Sequence, residues 1–162
     1  MAYFAQLLTQ KPHNLRLPKS STDDIQRLVQ MHQATSVERA PFRRQIDFWA
    51  FSIATALAED LDPLDGPSSN WGRKFVDTRD VEMPEALCDI LAVAAFHHLG
   101  PDHDGINDPA QIIEVGNCLA GAGCPVVLDR LNSRDLRLNP LDNVLNFAAH
   151  LYNHAQLERT KP

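Results

Sequence analysis

Histidine is the residue type in this 162-residue chain whose spacing first suggests chemistry. His150 and His154 are four residues apart on one predicted helix, so both rings project from the same face. Three more histidines cluster around the end of another predicted helix: His97, His98 and His103. If the two helices are neighbours, these imidazoles and a nearby aspartate could bind a transition metal. A small metal-dependent hydrolase is therefore one hypothesis for the function.

Motifs for catalysis are otherwise missing from the sequence. Leu151, Tyr152 and Asn153 separate the helical histidine pair, so no HExxH supplies a general base. There is no GxSxG, no SxxK and no glycine-rich phosphate loop. Cys118 and Cys124 have no histidine close to them in the sequence. The sequence therefore favours a protein that is not an enzyme and has no cofactor, with solvated histidines and structural thiols.

Basic residues concentrated near the N-terminus are the second candidate site. Residues 1–45 hold seven basic and three acidic residues, whereas the rest of the chain holds eight basic and eighteen acidic ones. The residues that could bind phosphates or an acidic partner are Lys11, Arg16, Lys19, Arg39, Arg43 and Arg44. The overall charge of −6 opposes nucleic-acid binding by the chain alone, and Asp47 could pair with the neighbouring arginines. A nucleic-acid-binding accessory domain, acting within a complex, is therefore a further alternative.

A hydrophobic segment over residues 41–61 is the element that must position these candidates. Its main apolar stripe has helical spacing and consists of Ile46, Trp49, Ile53 and Leu57. Phe48, Phe51 and Ala58 extend apolar surface around most of the circumference, which is typical of a buried helix. Charged residues near both ends leave an apolar middle too short to cross a bilayer. We therefore expect a central helix that begins with Pro41 in its first turn.

The remaining pattern predicts an all-α fold, a single-domain bundle of about five helices with long loops that contain proline and glycine. Besides the central helix, we expect helices over residues 22–34, 84–99, 109 to about 121 or 123, and 141–157. Asp108–Pro109 and Asn139–Pro140 are typical of a cap followed by proline at the first helical position. Residues 74–78 favour a short extended piece, and residues 124–128 fit either a short strand or a helical turn.

The domain organisation follows from the prolines and the helix pattern. Residues 1–20 are predicted to be an extended N-terminal arm, 21–158 a helical domain and 159–162 a C-terminal tail. Within the arm, Leu15 and Leu17 alternate with polar residues between two prolines. This pattern fits an edge strand or a segment that docks on another subunit equally well.

Together these features favour a non-catalytic helical interaction or accessory subunit. We expect it to assemble with itself or with a larger protein complex through helix faces and the N-terminal arm. Three cysteines without a CxxC pattern favour a reducing compartment. The first residues lack the basic start of a signal peptide, so we expect a cytoplasmic protein without a membrane partner.

Overall fold

The computed structural model describes residues 11–29, 40–81, 83–100, 103–131 and 140–159. This part of the chain is mostly helical, which confirms the helical character of the predicted fold, and it also contains a two-stranded sheet that the all-α prediction did not include. Single 3-10 turns occupy Lys19–Ser21 and Asp104–Asn107. In chain order the strands and α-helices are β1 (Asn14–Pro18), α1 (Thr22–Leu28), α2 (Gln45–Ala58), α3 (Ser68–Trp71), β2 (Gly72–Asp77), α4 (Glu85–Leu99), α5 (Pro109–Leu131) and α6 (Pro140–Arg159).

Helix α2 is the predicted central helix, although it is shorter than expected. It begins at Gln45, because Arg44 and Asp47 cap it: the Arg44 backbone N–H donates to Asp47 Oδ2 over 2.9 Å. Pro41 therefore precedes the helix, and its predicted place in the first turn is wrong. The helix ends before Asp60, which has a left-handed φ of 52°. Three of the four predicted stripe residues, Ile46, Trp49 and Ile53, are buried as expected.

Helix α5 packs most closely against α2. Their backbones meet at Gly123, where a Cβ would overlap the carbonyl oxygen of Ser52. Ser52 is fully buried, and its hydroxyl donates to the Phe48 carbonyl over 2.9 Å, so this hydroxyl is paired at the contact. Two turns earlier on α5, a Cβ at Gly116 would lie 3.2 Å from atoms of the Trp49 ring. Residues without large side chains thus let the two core helices approach closely.

Helix α5 is continuous through Pro125, so the predicted end at Gly121 or Gly123 is wrong. Its start is as expected, because Asp108 Oδ1 accepts from the Ala110 N–H over 3.0 Å and Pro109 follows the cap. A proline inside a helix costs about 3 kcal/mol. The residues beyond it, however, bury several apolar side chains: Val127, Leu128 and Leu131. Since each contributes about 1.5–3 kcal/mol, burial outweighs the cost of the proline.

By length and composition, α5 is also apolar enough to cross a membrane. Within the described residues it is the one helix that meets this test. However, 67% of its most apolar window is buried inside the fold. The core helix of a soluble protein passes the same test, so this observation is weak evidence for a membrane span.

Strand β1 pairs antiparallel with β2, which confirms the extended piece predicted near residues 74–78. Leu15 and Leu17 are 0% and 4% exposed, so this part of the predicted arm belongs to the core. Of the two alternatives for residues 14–18, the structure has the strand; residues 1–10 lie outside the described part of the chain. Residues 14–18 therefore pack against the core as strand β1.

The outer edge of β1 is satisfied by a side chain rather than by a third strand. Asn117 Oδ1 accepts from the Arg16 N–H over 2.9 Å, and its Nδ2 donates to the Asn14 carbonyl over 3.0 Å. The same Nδ2 lies 3.3 Å from the Ser68 hydroxyl, which donates to Glu114 Oε2 over 2.6 Å. Asn117 and Glu114, both on α5, therefore fix β1 and the start of α3.

Helix α1 ends at Leu28 rather than near Ala34. Val29 has extended backbone angles and forms a parallel bridge with Phe42. The Phe42 N–H donates to the Leu28 carbonyl over 3.1 Å. The bridge to Phe42 thus satisfies backbone groups at the end of α1. Another helical turn is not needed to pair them.

We predict that Gly123→Ala destabilises the fold by about 2 kcal/mol or more, because the new methyl group would overlap backbone atoms of α2. The sign is informative, since the same change in a helix without a close neighbour stabilises it by about 1 kcal/mol. Chemical denaturation measures the free energy of unfolding. An unchanged or increased value would contradict the close crossing of α2 and α5.

We also predict that Asn117→Ala costs about 2–4 kcal/mol, because it leaves the Arg16 N–H and the Asn14 carbonyl without partners. Asn70→Ala is the matched control, since that side chain is exposed. Denaturation midpoints of both variants and of the parent chain show whether stability is lost at Asn117 and not at Asn70. Equal losses would mean that Asn117 does not hold the edge of β1.

Candidate functional site

An apolar groove of about 450 Å³ lies where α2, α4 and α6 meet. Helix α2 supplies its floor, and α4 and α6 supply the walls. The principal lining residues are Ala50, Phe51 and Ala54 of α2, Ala86 and Ile90 of α4, and Val144 of α6. No sequence motif pointed to this groove.

The spacing of small residues explains why the groove exists. Ala50 and Ala54 are four residues apart, so both lie on the same face of α2, and Ala86 and Ile90 are related in the same way on α4. Two short side chains on the α2 face cannot fill the distance between the neighbouring helices. Phe51 lies beside them, where its ring centroid is 5.7 Å from that of Phe147 on α6.

Exposed apolar side chains extend the groove at both walls. Val93, one turn beyond Ile90 on α4, is 59% exposed. Leu145, next to Val144 on α6, is 58% exposed. The groove and these side chains together expose apolar surface to solvent. Exposed apolar patches of this kind are typical of binding sites.

Charges beside the groove are mainly acidic on the α4 side. Helix α4 carries Glu85 and Asp89 and no lysine or arginine. Asp89 Oδ1 is buried and has no hydrogen-bond partner among the described residues. At the α2 end, Arg44 and Asp47 form an ion pair of 2.9 Å between Nη2 and Oδ1, so their charges largely cancel. The α4 wall is therefore electronegative.

The predicted histidines lie near the C-terminal end of α2 but do not converge on one point. His97 Nε2 is 3.8 Å from Asp60 Oδ1, and His150 Nε2 is 3.7 Å from Glu59 Oε1. The rings of His97 and His98 contact each other edge to face, with centroids 4.7 Å apart. Two neighbouring carboxylates just after α2 thus contact histidines of α4 and α6 separately.

His103 and His154 do not join them in the described structure. His103 Nδ1 accepts from the Gly105 N–H over 2.9 Å, which makes it the cap of a 3-10 turn. The side chain of His154 lies outside the described part of the chain. Within that part, no group of three or more His, Cys, Asp or Glu side chains could hold a metal ion. The geometry therefore gives the hydrolase hypothesis no support.

The predicted basic residues are divided between the sheet and the start of α2. On the sheet side, Arg16 Nη1 donates to the Gly72 carbonyl over 3.3 Å, and Lys19 Nζ to the Asn70 carbonyl over 3.2 Å. Lys11 and Arg43 are exposed, and Arg44 pairs with Asp47 as the spacing predicted. Arg39 lies outside the described residues. Several of these cations are thus already bound to groups of the chain itself.

Two basic residues that the sequence did not single out lie beside them. Arg73 and Lys74 of β2 face Leu17 and Arg16 of β1 across the sheet. They line a second, smaller pocket together with Gln45 of α2. The pairing of strands more than fifty residues apart creates this arrangement, so no local pattern could have revealed it.

The three cysteines are free and buried. Burial raises the pKa of Cys118 to about 11 and that of Cys124 to about 12. Burial also raises the pKa of Cys88. Since the thiolate is the reactive form, these thiols are poor nucleophiles near neutral pH.

His98 is the histidine with the clearest electrostatic perturbation. Burial lowers its pKa below the ordinary value, and the neighbouring His97 lowers it further, whereas Asp62 and Asp60 act in the opposite direction. Its Nε2 atom is buried and has no hydrogen-bond partner among the described residues. The fold therefore favours the neutral imidazole.

We predict that His98 makes the protein sensitive to mild acid. Because its pKa is lower in the folded chain, its contribution is fully present above the unfolded value of about 6.5 and is lost as pH falls through the folded value. His98→Phe should reduce the loss of thermal stability between about pH 7 and pH 5. His103→Asn, which retains an acceptor for Gly105, should keep the parent's pH dependence. If thermal stability falls equally between these pH values in the parent chain and in both variants, the assignment to His98 is wrong.

No protein-family model, curated protein or solved structure matches this chain.

Proposed function

We propose that this protein is a helical accessory subunit whose groove receives an amphipathic helix of a protein partner. That helix would present apolar side chains to the groove and basic residues to its α4 wall. The observation that carries the proposal is the open apolar groove of about 450 Å³ on the central helix. A second copy of this chain is the competing occupant of the groove.

The size and lining of the groove suit a helix. Liquid water occupies about 30 Å³ per molecule, so the groove has room for about fifteen water molecules against almost entirely apolar walls. Displacing them is favourable, since apolar surface leaves water. A docking helix places anchors at positions i, i+3 or i+4, and i+7, which span about 10 Å along its axis. Two or three such anchors could occupy the groove, and others could cover Val93 or Leu145.

The charge distribution defines the partner further. Glu85 and Asp89 lie on the helix that forms one wall, and Arg44 at the end of the groove is already paired with Asp47. A partner with lysine or arginine flanking its apolar face would gain electrostatic attraction, whereas an acidic one would be repelled. Such attraction weakens as salt is added.

The first test uses synthetic helical peptides of about 16 residues with leucines at the anchor positions. One peptide carries lysines beside the leucines, and the other carries glutamates at the same positions. We predict that the lysine peptide binds the full chain about tenfold more tightly than the glutamate peptide, as measured by fluorescence anisotropy. Equal affinities would mean that the acidic wall does not select the partner.

A matched pair of variants locates the binding site. Ala54→Phe fills the groove floor, whereas Ala110→Phe places the same side chain at an exposed position near the start of α5, a helix that does not line the groove. We expect the first variant to weaken binding of the lysine peptide by about tenfold or more and the second to leave it unchanged. Equal effects would place the peptide elsewhere and overturn the proposal.

Sedimentation of the chain without peptide tests the competing occupant. If the parent chain forms a dimer that Ala54→Phe dissociates and Ala110→Phe does not, a second copy occupies the groove. The proposed partner helix would then be wrong. A monomer under the same conditions leaves the groove open for the peptide experiment.

A further inference from the structure

We propose that a second pocket, between the two-stranded sheet and helix α1, binds the phosphate group of a small phosphorylated molecule. The pocket has a volume of about 140 Å³ and is separate from the apolar groove. Strand β2 supplies Arg73 and Lys74 to it, α1 supplies Gln26, and α2 supplies Gln45. The inference does not depend on the proposed docking function, because no residue lines both sites.

The pocket is positively charged although the chain as a whole is acidic. Two of its lining residues are cationic, and none carries a carboxylate. Arg73 is exposed and has no ion-pair partner among the described residues. Lys74 Nζ is 3.5 Å from Asp77 Oδ2, but Asp77 also interacts with Arg79, so one carboxylate is shared by two cations. The local excess of positive charge favours an anion.

The side chains provide the donors that a phosphate needs. The guanidinium of Arg73, which pairs with Leu17 on the pocket side of the sheet, can donate two parallel N–H groups to two phosphate oxygens. Lys74 pairs with Arg16, so its side chain lies on the opposite face of the strand, and it adds positive charge beside the pocket. Gln26 and Gln45 each carry an amide NH₂ that can donate to a further oxygen. Thr22 also lines the pocket, but its hydroxyl already donates to the Lys19 carbonyl over 2.9 Å. Three side chains from three elements, those of Arg73, Gln26 and Gln45, thus provide donors at one small volume.

The base of the pocket strengthens these interactions. Leu17 and Ile25 line it and are 4% and 2% exposed, so one side of a bound anion would face apolar atoms rather than water. Charge-assisted hydrogen bonds are stronger where water is partly excluded. The lining therefore combines a dry base with charged donors at the entrance.

The volume limits what can bind. At about 30 Å³ per water molecule in the liquid, 140 Å³ corresponds to four or five waters, which is enough for one phosphate group. A nucleoside or sugar attached to that group would have to remain outside the pocket. Inorganic phosphate and a phosphate monoester are therefore the two sources of the same ligand chemistry.

The experiment is isothermal titration of the full chain with inorganic phosphate and, separately, with glycerol phosphate; sodium chloride at matched ionic strength is the reference. We expect saturable binding of one equivalent of each phosphate compound at concentrations below about 10 mM. Tighter binding of the ester would identify a phosphorylated molecule as the ligand, and equal binding would identify the free anion. An absence of saturable binding by either compound overturns the proposal.

Variants decide whether the pocket is responsible. Arg73→Gln should weaken phosphate binding by about tenfold, and Arg73→Lys should weaken it less, because the charge remains but the two-pronged donor is lost. Arg79→Gln removes an exposed cation from the turn after β2 and should leave binding within about twofold. Both positions are exposed, and thermal melts check that each of the three variants is folded. An equal loss for Arg73→Gln and Arg79→Gln would show attraction to general surface charge and overturn the site.

A single-stranded oligonucleotide provides the last comparison. If it binds far more tightly than glycerol phosphate, and if Arg43→Gln weakens it as much as Arg73→Gln does, the binding surface is an extended nucleic-acid site. The proposed phosphate pocket would then be wrong. If Arg73→Gln weakens the binding of both ligands and Arg43→Gln weakens neither, the pocket binds the phosphate of the oligonucleotide and that of glycerol phosphate.

Discussion

The close approach of α2 and α5 at Ser52 and Gly123 is the constraint on which the other elements depend. Because a single methyl group would disrupt this contact, it fixes the position of α5 relative to the central helix. Helix α5 then presents Asn117 to β1 and the backbone at Gly121 to Trp71. The sheet, α3 and the intervening loop therefore depend on one helix crossing for their place in the fold.

This crossing covers only part of the central helix. The sequence of α2 is apolar nearly all round, and such a helix requires apolar neighbours on every face. Helix α5 covers the face that contains Trp49 and Ser52, whereas α4 and α6 cover the opposite face incompletely over Ala50 and Ala54. The groove is therefore the part of the α2 surface for which the described chain supplies no cover. This relation is what makes a helical partner a physically reasonable occupant.

Local patterns predicted much of the helical structure but not the sites. The Asp108–Pro109 start and the extent of α4 follow from residues close in sequence, which is why they could be predicted. Helix α5 continues past Pro125 because tertiary burial outweighs the local preference. The histidines were noticeable in sequence, yet their positions depend on contacts with Glu59 and Asp60. The groove and the basic pocket depend on the packing of distant elements, so spacing could not reveal either.

The distribution of charge differs between the two proposed binding surfaces of this acidic chain. The described residues up to 81 hold nine basic and nine acidic side chains, whereas the described residues from 83 onward hold two basic and eight acidic ones. Strand β2 and its pocket belong to the first part, and the acidic α4 wall of the groove belongs to the second. At physiological ionic strength, interactions between exposed charges are largely screened beyond about 8 Å. A ligand therefore responds to the charges beside its own site, and the net charge of −6 does not oppose anion binding at Arg73 and Lys74.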